Sequence, residues 1–461
     1  MRRLALLLCL PVAALVLAYT AVVERTPILP TALLNYAAIA LPAHLTAPPV
    51  RGLDNTPAAN PVTDAGATLG RVIFYDRRLS RSQTVSCASC HKQGLGFSDD
   101  AALSVGFAGG HTGRNSMGLA FSRYYQSGRF FWDERAATLE DQVLMPVQDG
   151  VEMGMTLPEV VARLESTSFY PALFTRAFGT PEITSARVSR ALAQFVRSMV
   201  AADSRYDRGR AAAPPGPPGA ALATLTASEN RGLALFFGRA NCARCHTGDL
   251  MVLPNPRNNG LDAVTVDVGA GRGEFKVGSL RNVALTAPFM HDGRFQTLTA
   301  VVDFYDRGVQ NNRDLDPALR GPDGRPLRLN LSPTDRADLV AFMGALTDTG
   351  FLTDARWSDP FPATATAAEA TTVAAAPSLA LAGPNPFRAT ATLRAMLPVA
   401  ATVRIEVYDV QGRRLATLAD GPQPAGTLDV TWDADGAPAG LYLVRLTADG
   451  HVATRAVTRV R

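Results

Sequence analysis

Cys87-Ala88-Ser89-Cys90-His91 is the stretch that decides how this chain is read, and its pattern returns once, as Cys242-Ala243-Arg244-Cys245-His246. C-x-x-C-H is the spacing of covalent c-type haem attachment. Two thiols one helical turn apart can each add to a vinyl group on one edge of a porphyrin. The next residue, His, then turns beneath the ring and offers iron a nitrogen. The competing uses are two local redox disulfides or a zinc site. Zinc takes its four ligands from closely spaced pairs, and these two pairs stand far apart. The chain has five cysteines, and the fifth, Cys9, lies in an apolar leader. Two covalently bound haem c groups are therefore expected, on Cys87, Cys90, Cys242 and Cys245, with His91 and His246 as iron ligands.

The 461 residues leave room for roughly two to four domains. Hydrophobic residues make up 47% of the chain, as in ordinary globular proteins. The net charge is +4, and Lys92 and Lys276 are the only lysines, so the positive charge is carried by arginine. No basic run is dense enough to point to nucleic acid. Arg2 and Arg3 precede an apolar run over residues 4–19 and then small residues. This pattern reads as a secretory signal peptide over residues 1–23, short for a spanning helix, with an uncleaved anchor as the alternative. Export to the periplasm or cell surface agrees with haem attachment, which takes place outside the bacterial cytoplasm.

Residues 24–60, rich in Pro, Ala and Leu, read as a lead-in that hugs the surface. Residues 61–215 and 216–350 each hold an amphipathic helix, a haem motif and a later helix, which reads as a duplicated cytochrome c-like domain. Helices are expected over residues 63–79, 156–164, 185–200 and 334–346. Another begins at Thr226, where Glu229 stands three residues on as in a capping box. Residues 351–376 form a linker. Residues 377–461 change character: β-branched, alternating stretches are separated by Gln411-Gly412, Asp435-Gly436 and Asp449-Gly450, which read as hairpin turns. The fold class expected is mainly α, two cytochrome c-like haem domains, followed by a small all-β, Ig-like sandwich.

Three stretches carry a resemblance: FYDRRLSRSQTVSCASCH (residues 74–91), FFWDERAATLEDQVLMPVQDGVEMG (residues 130–154) and GSLRNVALTAPFMHDGRFQTL (residues 278–298). Over residues 50–350 the chain resembles the bacterial dihaem cytochrome c peroxidase family, which includes the MauG-type enzymes. The tail from Pro384 resembles, more loosely, a type IX secretion sorting domain.

Splitting hydrogen peroxide at iron needs an open axial position and a group that takes a proton from one oxygen and returns it to the other. The resemblance implies that Glu152 is this carboxylate, assisted by Gln142, and that Trp132 lies between the haems. Without the resemblance, Glu152 reads as a solvated or capping glutamate and Trp132 as a core residue. Fourteen residues past His291 stands Tyr305, where a typical member of the family has a methionine that ligates the second iron. MauG-type enzymes have Tyr there, and a phenolate favours ferric iron where a thioether favours ferrous. Leu298, Val301, Val302 and Tyr305 also fall at helical spacing, which fits a core tyrosine. Met290 is the rival ligand. Eight residues before Asn115, where many members hold a histidine that blocks the first haem at rest, stands Phe107; His111 is four residues further on. Asn115, Thr286 and Pro288 match the family's calcium ligands, oxygen donors of the kind that suits Ca²⁺.

The reaction implied is reduction of hydrogen peroxide to water, with electrons from a small c-type cytochrome or cupredoxin. The rivals are a MauG-type enzyme that oxidises residues of a protein substrate, and an electron-transfer cytochrome without peroxide chemistry. The tail would serve the secretion machinery or act as an adhesive domain.

Overall fold

The computed structural model describes residues 25–361 and 377–460, except residues 49, 215, 384–386, 398, 410–412 and 449–450. The leader, with Cys9, most of the linker and the Gln411-Gly412 and Asp449-Gly450 turns lie outside the described residues. The chain divides into two compact units, residues 1–362 and 363–461. Among the described residues no helix is long and apolar enough to cross a membrane.

Among the described residues the first unit contains two large cores, each built on one crossing of two helices, and a small third cluster of Leu261, Phe304, Val309 and Leu315. In the first core, α1 (Asp64–Tyr75) packs on α2 (Ser185–Arg197). Thr63 starts α1 by accepting the Gly66 N–H at 3.0 Å, the usual service of an N-cap oxygen to an orphan donor. The axes approach so closely at Gly70 that a Cβ there would lie 2.0 Å from the Ala191 carbonyl oxygen and 2.8 Å from Phe195 Cβ. In the second core, α3 (Ala227–Phe237) packs on α4 (Pro333–Gly344). Thr226 and Glu229 cap α3 reciprocally, as the sequence implies. Gly232 plays the part of Gly70: a Cβ on it would lie 1.9 Å from the Asp338 carbonyl oxygen and 2.8 Å from Phe342 Cβ. Both glycines are there for lack of a Cβ, and each faces a Phe four residues past the carbonyl it touches. This repeated crossing is the clearest mark of duplication.

Three boundaries differ from the sequence reading. The helix Arg205–Ala212 belongs to the second core, where Tyr206 is fully buried against Phe342. Residues 351–361, expected as linker, return to the first core and bury Phe351, Trp357 and Phe361. The lead-in is part of that core too, through Tyr36, Leu45 and Val50. "Mainly α" describes the regular elements of this unit, but they are short and joined by long irregular segments. One antiparallel pair, β1 (Leu253–Arg257) with β2 (Phe275–Val277), forms its sheet.

Among the described residues the second unit holds seven strands in two sheets. β3 (Ser378–Leu381), β4 (Thr390–Leu397) and β7 (Gly426–Asp433) form one, in the order β3-β4-β7. β5 (Ala401–Asp409), β6 (Arg414–Gln423), β8 (Gly440–Ala448) and β9 (His451–Arg459) form the other, in the order β6-β5-β8-β9. Alternate residues of β5, such as Val403, Ile405 and Val407, are buried beside Trp432 and Val444, as a sandwich core requires. Asp435-Gly436 is not a hairpin turn. It lies between β7 and β8, which belong to different sheets, so the chain crosses over there.

Candidate functional site

Cys87–Cys90 form one short helical turn, stiffened by the Ser86 N–H donating to Ser89 Oγ at 3.0 Å. Cys242–Arg244 form the corresponding turn in the second half. All four thiols are free of disulfides. Each motif ends in the same device. His91 Nδ1 donates to the Phe97 carbonyl at 2.8 Å, and His246 Nδ1 to the Met251 carbonyl at 3.2 Å. This fixes the tautomer and leaves Nε2 to a metal. Burial lowers both imidazole pKa values, which keeps that lone pair available. The accepting residues share an unusual backbone, with φ of 62° at Phe97 and 52° at Met251. Bridges Lys92↔Ser98 and Thr247↔Val252 close the two small loops. Paired thiols, a presented imidazole and an apolar wall are what a covalent haem needs, and both halves fit it.

Beside the second motif lies a cavity of about 320 Å³. Phe236, Leu298, Val302, Leu331, Leu339 and Met343 give it apolar walls. Both rival ligands, Tyr305 and Met290, line it, as do Trp132, Asn115, Thr286 and Pro288. Tyr305 sits on a single π-helical turn, Phe304–Gly308, that ends the helix Leu298–Asp303. Such turns recur at functional sites. Burial pushes the Tyr305 phenol up to about 12, against a lowering hydrogen bond from Asn259. Asn259 Nδ2 is 3.2 Å from Tyr305 Oη and 3.6 Å from Met290 Sδ. The sequence reading missed Asn259, because one polar residue before a Gly looks like any turn.

Trp132 comes from the first half yet helps to wall this second cavity. Its Nε1–H donates to the Asn115 carbonyl at 2.8 Å, and its own carbonyl accepts the Lys276 N–H at 2.8 Å. Asn115 Nδ2 donates to the Ala101 and Ala102 carbonyls, both at 3.2 Å. That holds the amide so that its oxygen faces away from them, a placement compatible with an oxygen-ligated cation. Arg114 ties the halves together by donating twice to Asp267, at 2.8 Å each, while pairing with Asp133 at 2.6 Å. His291 is stacked on Phe275 at 3.7 Å, with its ring 3.9 Å from Asp267.

At the first motif, Glu152 is positioned by an Asx turn: Asp149 Oδ1 accepts the Val151 N–H at 2.8 Å and the Glu152 N–H at 3.1 Å. Burial and the neighbouring Asp149 charge push its carboxyl up to about 7, opposed by Arg135. Burial raises the thiols of Cys87, to about 12, and Cys90, and the charge of Glu152 adds to both. Glu152 is thus within electrostatic reach of the first attachment site. Its carboxylate has no hydrogen-bond donor among the described residues. Gln142 ends the turn Leu139–Gln142, which Arg197 anchors by donating to Glu140 at 2.6 and 2.9 Å. Phe107 donates its N–H to the Glu152 carbonyl at 3.0 Å, and its ring lies on Gly154, where a Cβ would come within 2.5 Å of it. His111 is exposed and its Nδ1 is 3.4 Å from the Leu103 carbonyl, in a loop closed by the Val105↔His111 bridge.

The distal segments repeat as well. Bridges Phe130↔Ala136 and Phe289↔Phe295 enclose Phe131 at φ 70° and Met290 at φ 75°. Thr138 and Thr297 cap the helices that follow. Trp132-Asp133-Glu134-Arg135 and His291-Asp292-Gly293-Arg294 therefore occupy equivalent places, and each Asp accepts from its Arg. In this ungapped register Tyr305 falls opposite Pro146.

Comparison with known proteins finds relatives of both units. The family described as di-haem cytochrome c peroxidase matches residues 64–212, and the FlgD Ig-like domain matches residues 387–451. The chain is 36% identical over 304 residues to the methylamine utilization protein MauG of Methylorubrum extorquens, covering 63% of this chain and 80% of that one. It is 31% identical over 273 residues to cytochrome c551 peroxidase of Nitrosomonas europaea, covering 56% and 78%. The crystal structure of a MauG-like protein associated with microbial copper homeostasis superposes with a TM-score of 0.60 at 31% identity, covering 70% of this chain and 99% of that one. The chain belongs to the di-haem cytochrome c peroxidase and MauG family, oxidoreductases that carry two c-type haems.

Proposed function

We propose that the protein is an exported peroxidase that reduces hydrogen peroxide to two waters, taking two protons and two electrons, the latter from a small c-type cytochrome or cupredoxin. The observation that carries this reading is Glu152, a half-buried carboxyl poised near 7 beside the first attachment motif. The irons of the bound haems supply the redox chemistry. Glu152 takes the proton from the near oxygen of peroxide and returns it to the leaving oxygen; a group whose pKa matches the working pH does both well. Gln142 orients the peroxide. Phe107, which has no donor atom for iron, leaves the first distal position open. His246 and Tyr305 hold the second iron, and Trp132 shortens the electron path between the sites. Asn115, through its side chain, and Thr286 and Pro288, through their carbonyls, hold calcium. The optical spectrum of the oxidised protein before and after one equivalent of peroxide tests this reading; an unchanged spectrum contradicts it and favours a plain electron-transfer cytochrome.

Tyr305 in place of methionine favours a second reading, oxidation of residues on a partner protein. Both reactions begin at the same carboxylate. For the tail we propose a sorting module read by a type IX secretion machinery. Truncation after Phe361 should leave peroxide turnover nearly intact and disturb delivery to the cell surface; loss of haem and turnover in that truncation would refute the separation of roles.

A further inference from the structure

We infer that Asn259 is the positioning residue that makes Tyr305, rather than Met290, the sixth ligand of the second iron. This rests on the assignment of Tyr305 proposed above and adds the reason for the choice. The two candidate donor atoms converge on one amide nitrogen, 3.2 Å from the phenol oxygen and 3.6 Å from the thioether sulfur. That nitrogen is aimed by the fold. Asn259 Oδ1 accepts the Leu261 N–H at 3.2 Å, which turns the NH₂ toward the cavity. The turn that carries it is fixed on both sides. Asn258 Oδ1 accepts the Gly260 N–H at 2.9 Å, and Asn258 Nδ2 donates to the Arg272 carbonyl at 2.7 Å. The Asn258 and Gly260 carbonyls accept from Asp316 at 3.0 Å and Gln310 at 2.8 Å. Gly260 is needed there: its φ is 67°, and a Cβ would come within 2.8 Å of the Gln310 carbonyl oxygen.

A donor placed between two acceptors favours the stronger one. A phenolate oxygen is charged and accepts hydrogen bonds strongly; a thioether sulfur is a weak acceptor. The Asn259 N–H therefore favours Tyr305 and does little for Met290. An apolar residue at 259 would reverse the balance.

The test uses the purified, fully oxidised holoprotein. Resonance Raman bands of iron-bound tyrosinate, absent from Tyr305→Phe, report the phenolate; the far-red sulfur-to-iron absorption reports methionine. Asn259→Leu, of similar size and without a donor, should lose most of the tyrosinate signal, gain the sulfur band and raise the potential of the second haem. Asn259→Asp keeps an acceptor for the Leu261 N–H and hence the turn, but turns a carboxylate oxygen on the phenolate; it should lose the signal as completely. Mass spectrometry should find two covalent haems in each variant, as in the parent. Parental tyrosinate bands and potential in both variants would overturn the inference alone. Loss of tyrosinate without a sulfur band would refute the choice between the two ligands. A parent without tyrosinate bands would overturn the ligand assignment and this inference with it.

Discussion

The two haem halves share their attachment sides and differ on their distal sides. Each presents a C-x-x-C-H turn, a histidine tied through Nδ1 to a left-handed residue's carbonyl, and a pair of helices crossing at a glycine. Beyond these, the first half has a carboxyl with no donor among the described residues, an apolar Phe107 and, in the repeat register, Pro146, which offers no ligand atom. The second half places Tyr305, Met290 and the amide between them in one cavity. The attachment side is repeated in both halves; on the proposed reading, the division between a reactive site and a ligated one lies in a few distal residues. Three of the pairs are aligned without a gap: Trp132 with His291, Thr138 with Thr297, Pro146 with Tyr305.

The largest effect is expected at Glu152. Glu152→Gln keeps size and polarity but cannot take a proton, and should slow the peroxide reaction about 100- to 10,000-fold with both haems retained. The parent rate should rise with pH through about 7, as the carboxyl ionises, and level off above it; the variant should lack that step. Stopped-flow rates across pH would show both. Tyr305→Phe removes one oxygen from the other half. It should raise the second haem's potential in a redox titration and change its low-spin signal, with the first haem's spectrum unaltered. If the spectra match the parent, Met290 is the ligand and the distal contrast weakens.

The shared features predict equal effects in both halves. Gly70→Ala and Gly232→Ala each push a methyl into a facing carbonyl and should cost about 1–3 kcal/mol by denaturant unfolding. A large cost in one half only would mean that the crossings are not equivalent. Smaller still, Thr63→Ala and Thr226→Ala each remove an N-cap and should cost about 1 kcal/mol.

The parts legible in the sequence were those with a local signature. The haem motifs, the Thr226 and Glu229 cap and the alternation of β5 announce themselves within a few residues. Features set by tertiary contact did not. Trp357 and Phe361 carry no periodicity, so their return to the first core could not be read. Tyr206 stands in a helix of Arg and Asp whose one large apolar residue is buried. Asp435-Gly436 has the chemistry of a hairpin turn, and only the pairing of β7 and β8 with different partners shows a crossover. Asn259 needed both of its neighbours, Tyr305 and Met290, in place before it meant anything. The Trp-Asp-x-Arg and His-Asp-x-Arg repeat was visible in the letters but lacks meaning until the bridges around it are seen.

On the proposed reading the first site stands open in the oxidised state, with Glu152 ready beside it. Stopped-flow mixing of fully oxidised protein with one equivalent of hydrogen peroxide tests it most directly. A rapid spectral change without prior reduction is expected, and a much slower one in Glu152→Gln. An oxidised protein that stays silent and reacts only after half-reduction would contradict it, and would mean that a ligand, with His111 the nearest in sequence to Phe107, closes the first iron at rest.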